Sequence, residues 1–167
     1  MTSPNDTPPS VATSRTGGEP GLVDVDALAQ LSFLVHNALD EIAGQHDLSI
    51  IQARLLGVLR DREPTMNQLG RMLGLDKSSI SGLVDRAGRR GLVTRTVSAN
   101  DRRAFQVSIT DAGRQLIEQL AAQFAEQIEL SVAPLPDADR QRLSQLAAQV
   151  VASDAHRRGI DLRTTAR

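Results

Sequence analysis

The chain has no cysteine. Disulfides, thiolate metal sites and thiol-based redox sensing are therefore excluded within it, and a reducing, cytoplasmic setting fits. Tryptophan and tyrosine are also missing, and Phe33, Phe105 and Phe124 are the only aromatic residues. A core or pocket must then be mostly aliphatic, and stacking on a planar ligand would fall to Phe33, Phe124 or an arginine plane. No apolar run approaches the roughly 18 residues of a membrane span, and the N-terminus lacks a basic-then-apolar leader. No membrane partner is expected. Neither a G-x-S-x-G elbow nor a phosphate-binding glycine loop occurs, since "LGRMLGLDKSS" lacks the G-K-[ST] ending. Catalysis is not expected and no cofactor is called for. The three histidines, His36, His46 and His156, include no H-x-x-x-H pair. Zinc would need carboxylates to fill its shell, so no metal site is expected.

The sequence has 167 residues, 40% of them hydrophobic, with a net charge of −1. That fits one domain with tails and a packed core. Residues 1–22 are rich in Pro, Ser, Thr and Gly and read as a disordered tail. Residues 159–167 read as a flexible basic C-terminal tail. The ordered domain is expected over 23–158, with no internal repeat.

This domain reads as mainly α. Apolar residues from Leu28 to Ile42 recur at helical spacing and predict a first helix over about 24–45. Ser49 with Gln52 forms a capping-box pattern that opens a second helix, to about Arg60. Thr65 with Gln68 repeats the device and opens a short third helix ending near Gly74. Asp76 can cap a fourth, running to about Arg90 and stopped by Gly91. Two strands follow, over about 92–97 and 103–109. Thr110 can cap a long fifth helix carrying Leu116, Leu120, Phe124 and Ile128 on one face. Pro134 and Pro136 break the chain before a sixth, striped by Leu143, Leu146, Ala147, Val150 and Val151.

Two short helices joined through Gly74-Leu75 suggest a helix-turn-helix. On the fourth helix, Ile80, Leu83, Val84 and Ala87 share one side. Ser78, Gly82, Asp85 and Arg89 lie opposite, with Lys77, Ser79, Ser81 and Arg86 beside them. Short side chains let a helix approach base edges, while Lys and Arg reach phosphates or guanine acceptors. A glycine inside a helix costs about 1 kcal/mol relative to alanine, and close approach to DNA would be one reason for Gly82. A merely solvated face fits the same composition. Local charge favours the first reading. Between Arg71 and Arg103 eight basic residues face three acids, an excess of five, which leaves −6 on the remainder. Such asymmetry is the footprint expected for a polyanion partner.

A hairpin directly after a recognition helix reads as a wing. Its tip, "SANDRRAF", would present Arg102 and Arg103 beside the helix, where arginine can enter a narrow minor groove. Asp101 would orient an arginine through a charge-assisted hydrogen bond. A solvated turn with a local Asp–Arg pair is the plainer alternative.

"LSIIQARLLGVL", "TMNQLGRMLGLDKSSISGLVDRAGRRGLVTR" and "NDRRAFQVSITDAG" together resemble the MarR family of winged-helix regulators. The likeness covers about 28–130, and the six-helix plan extends it to about 155. It implies a winged helix-turn-helix over about 47–110 with a two- to three-stranded wing sheet. It also implies a homodimer formed through the helices at about 24–45 and 111–156. It gives Arg103 the minor-groove role, with Asp101 in support and Arg102 on the backbone. The pattern departs at "DRAGRRG", where many members carry Leu and an acidic residue in place of Ala87 and Gly88, implying a smaller, looser helix end.

The apolar surplus on the first, fifth and sixth helices points to a dimer independently. A twofold dimer should read a pseudo-palindrome on double-stranded DNA. The expected function is a transcriptional regulator, a repressor, bound to such an operator. The DNA-contacting candidates are Lys77, Ser78, Ser79, Ser81, Gly82, Arg86, Arg89, Asp101, Arg102 and Arg103. The resemblance adds release by a small aromatic or anionic effector. His36, His46, Arg54 and Met66, with Arg71, are the polar or soft residues available for it, although surface or hinge roles suit each of them as well. A winged helix that binds another protein instead of DNA is the alternative from another class.

Overall fold

The computed structural model describes residues 20–97 and 105–160. It consists of α1 (Pro20–Gln45), α2 (Ile50–Leu59), α3 (Met66–Leu73), α4 (Lys77–Arg89), β1 (Val93–Val97), β2 (Phe105–Ile109), α5 (Asp111–Val132) and α6 (Asp137–Arg157). Six helices with one antiparallel ribbon match the expected class. Internal contacts divide the chain into two units, Met1–Leu34 and Val35–Arg167. In the first, the described residues belong to α1, and Val25, Leu28, Leu31, Phe33 and Leu34 are exposed. α1 begins four residues before the expected Asp24. Proline suits the first helical position because the N–H it lacks would have had no partner there.

The second unit holds the core, which is aliphatic as the composition requires. Leu55, Leu56 and Leu59 of α2 meet Leu69 of α3, Leu83 and Val84 of α4, and Val107 of β2. All seven are at most 1% exposed. The helix starts are set by local chemistry. Gln68 Oε1 accepts from the Thr65 N–H at 2.8 Å, and Thr65 Oγ1 accepts from the Gln68 N–H at 3.4 Å, which closes the capping box of α3. At its other end Gly74 takes φ +68°, a left-handed conformation that glycine adopts without a Cβ clash. The chain reverses there, and Leu75 N–H donates to Gly70 O at 2.8 Å. This is the turn of the helix-turn-helix.

β1 and β2 pair in the register Val93↔Ile109, Arg95↔Val107 and Val97↔Phe105. Of the two to three strands expected, two form the ribbon, and beside it lies a single bridge, Thr65↔Gln106, with Val107 N–H donating to Pro64 O at 3.0 Å. The alternation of β2 is only partly an inward face. Val107 is fully buried and Ile109 half-buried, whereas Phe105 is 53% exposed beside its exposed partner Val97. The ribbon has passed beyond the core by that point. Residues 98–104 connect the strands and lie outside the described residues, so the expected strand start at 103 falls there too.

α5 starts where the ribbon returns to the core. Thr110 N–H donates to Leu92 O at 3.1 Å, Thr110 Oγ1 donates to Gly91 O at 2.7 Å, and the same hydroxyl accepts from Gly113 N–H at 3.1 Å. Gly113 lies so close to Leu92 that a Cβ there would sit 2.2 Å from the carbonyl oxygen. α6 buries only Ala155. Its stripe, Leu146, Val150 and Val151, stays exposed in the single chain.

Candidate nucleic-acid interface

α4 packs Ile80, Leu83, Val84 and Ala87 into the core. By helical geometry this turns Ser78, Gly82, Asp85 and Arg89 outward. Ser78, Asp85 and Arg89 are exposed and Gly82 is half-buried. Lys77 and Ser81 flank one side of the outward row, Ser79 and Arg86 the other. The helix runs unbroken through Ala87 and Gly88 to Arg89, and Ala87 is 1% exposed. The looser helix end implied by those two residues is not seen.

Asp76 fixes the start of α4. Its Oδ1 accepts from the N–H groups of Ser78 and Ser79, both at 2.8 Å. The Ser78 hydroxyl also donates to Oδ1 at 2.7 Å, and the Ser79 hydroxyl donates to Oδ2 at 2.9 Å. These bonds, led by the Ser79 N–H and then the two hydroxyls, hold the Asp76 carboxyl down at about 2. Ser78 and Ser79 therefore face outward with their protons already engaged, and their oxygens remain free to accept.

The cations of this region divide into two groups. Lys77, Arg86 and Arg89 are exposed and make no hydrogen bond or ion pair to the described residues. Arg90 and Arg95 are engaged inside the fold. Arg90 donates to Asp47 O at 2.6 Å and to His46 O at 3.2 Å, clamping the end of α4 to the turn after α1. Arg95 pairs with Asp85 at 2.8 Å and donates to Ser81 O at 3.1 Å. Neither engagement is readable from sequence, because both depend on how a strand or turn lies against α4.

Gly82 has no internal reason to be glycine. A Cβ there would meet only the end of the Arg86 side chain, 3.3 Å away. Beside it lies an open depression of about 310 Å³, lined by Ile51, Leu75, Ser78, Ser79, Gly82, Leu83 and Arg86.

The remaining sequence candidates are placed as follows. Asp101, Arg102 and Arg103 lie outside the described residues. His36 is exposed on α1 and Arg54 on α2. Met66 is half-buried at the start of α3 against the core. His46 Nε2 lies 2.8 Å from Gln123 Oε1, which links the end of α1 to α5. None of these four lines the depression. Among the described residues no group of three acidic or histidine side chains could hold a metal ion, and no helix is long and apolar enough to cross a membrane.

The geometry is that of a helix-turn-helix with an attached ribbon. Comparison with known proteins agrees: the model of the MarR family matches residues 46–104, from the end of α1 into the segment joining the strands. Over that segment the chain is similar to the winged helix of the MarR family. It is 27% identical over 123 residues to the HTH-type transcriptional regulator PecS of Dickeya dadantii, covering 71% of this chain and 74% of that one. A MarR-family regulator from Rhodococcus sp. RHA1 superposes with a TM-score of 0.67 at 23% identity, over 80% of this chain and 96% of that one. The MepR–DNA complex of S. aureus gives 0.63 at 22% identity, over 77% and 96%. These structural likenesses establish that the MarR fold extends beyond the segment matched by the family model.

Proposed function

We propose that the chain is a DNA-binding transcriptional regulator, a repressor that sits as a homodimer on a pseudo-palindromic operator in the cytoplasm. The observation that carries this is the outward face of α4. An unneeded glycine is flanked there by exposed hydroxyl oxygens and by the unengaged cations Lys77, Arg86 and Arg89. A backbone opened at Gly82 lets the helix approach base edges closely, and flanking cations suit phosphates. Ser78, Ser79 and Ser81 would contribute as acceptors or through shape. Arg103 at the wing tip is assigned to the minor groove, Asp101 to orienting it, and Arg102 to a phosphate. The similarity to PecS, a transcriptional regulator by name, supports the reading, as does the bound DNA of the MepR structure. The proposed activity is binding, with no catalytic step.

The dimer is proposed from uncovered apolar surface. Leu146, Val150 and Val151 of α6 and Leu130 of α5 are exposed in the single chain, as are the α1 residues of the first unit. Helix faces this apolar need a partner, and a second copy of the same stripe supplies one.

Effector release is assigned to the depression beside α4 in preference to His36, His46, Arg54 and Met66. Ile51, Leu75 and Leu83 offer an apolar floor, and Arg86 offers a cation to a carboxylate. An occupant would cover Gly82 and Arg86 and so compete with DNA.

The deciding test is a titration of fluorescent duplexes. Arg89→Ala and Arg103→Ala are each expected to weaken operator binding by about 1–3 kcal/mol per subunit. Operator affinity unchanged in both variants would refute the interface.

A further inference from the structure

We propose that Arg95 is a positioning residue that ties the ribbon to the recognition helix and thereby sets how selectively the interface reads its site. This rests on the DNA-binding reading above. Strand alternation puts Arg95 on the same side of β1 as the buried Val93, facing α4. Its cross-strand partner is the fully buried Val107. With its stem held there, the guanidinium reaches two acceptors one helical turn apart, the Asp85 carboxylate at 2.8 Å and the Ser81 carbonyl at 3.1 Å. One side chain thus fixes β1 to the middle of α4.

Two consequences follow for recognition. Asp85 lies in the outward row with Ser78, Gly82 and Arg89, where an unpaired carboxylate would face phosphates and repel them. Pairing with Arg95 neutralises it. The ribbon beyond Arg95 carries the sequence Asp101-Arg102-Arg103, and the tie sets the angle at which the strands leave the helix. Phosphate and base contacts must be made together for a specific complex, whereas a nonspecific one needs only the charges. A loosened ribbon should therefore cost selectivity more than total attraction. Were Arg95 a phosphate contact instead, its removal would weaken binding to all duplexes alike and lower the salt slope by about 1.

The experiment uses a duplex selected from a random pool by the wild-type chain, with a scrambled duplex as reference. Arg95→Gln and Asp85→Asn are each expected to lower the ratio of selected to scrambled affinity about fivefold per subunit, near the upper limit for an exposed ion pair. The salt slope should stay unchanged. The exchanged pair, Asp85→Arg with Arg95→Asp, should recover most of the ratio. Without DNA, amide exchange in β1 and β2 should quicken in Arg95→Gln while α2 and α3 stay protected. Equal weakening of both duplexes with a lower salt slope, no recovery in the exchanged pair, or unaltered exchange would overturn the proposal. A wild-type chain that selects no duplex removes the DNA reading and the selectivity role with it. The exchange data then decide the tie alone.

Discussion

At position 113 a single methyl group decides whether α5 can start where it does. The Cβ of an alanine would lie 2.2 Å from the Leu92 carbonyl oxygen and 2.9 Å from the Ile109 side chain, and neither can retreat without moving the ribbon. Gly113→Ala should destabilise the fold by about 3 kcal/mol, seen as a lower midpoint in urea unfolding. A midpoint equal to wild type would contradict the packing. Asp76 makes a prediction about pH. Its carboxyl is depressed from 3.8 to about 2, so its contribution is fully present above the unfolded value and is lost as pH falls through the folded one. The gap in melting temperature between wild type and Asp76→Ala should hold above about pH 5 and close as pH drops from about 4 through about 2. A gap that persists at the acid end would contradict the cap. Thr110 and Asp76 were legible in the sequence because caps act on residues two or three positions away, whereas the need for glycine at 113 comes from the distant Leu92 carbonyl. The partner of Asp85 was not legible, because it arrives from a strand ten residues on.

Helix and strand boundaries show the same division between local and distant causes. The starts of α2, α3, α4 and α5 fall where Ser49, Thr65, Asp76 and Thr110 placed them. α1 starts at Pro20, earlier than the helical spacing of apolar residues indicated, and proline suits a first helical position. The ribbon departs from its pattern at Phe105, where alternation signals a core that no longer lies beneath it. Burial depends on what the strand reaches, and sequence does not record that. Arg90 belongs to this scale as well. In the sequence it counted only toward the local positive charge, and the structure uses it to hold the end of α4 to the His46–Asp47 turn. Arg90→Ala should therefore lower stability by about 1–2 kcal/mol while leaving the salt dependence of DNA binding unchanged. A lower salt slope with unaltered stability would make it a phosphate contact after all.

For the whole molecule, the charge asymmetry and the apolar surplus were both visible in composition and spacing. What each is for depends on the fold. The surplus becomes an uncovered α6 stripe, with Val150 65% and Val151 56% exposed. A chain carrying Leu146→Glu and Val150→Glu should sediment as a folded monomer and lose operator affinity, while a variant that remains dimeric would move the interface elsewhere. The central claim is that α4 and the ribbon read duplex DNA. The most direct measurement is selection of duplexes from a random pool by the full chain, followed by titration of the selected and scrambled duplexes at two salt concentrations. The account predicts a pseudo-palindromic consensus with half-sites about one helical turn apart. Binding should saturate at one dimer per site and weaken steeply with salt. Enrichment of no consensus, with equal, weak affinity for both duplexes, would contradict it.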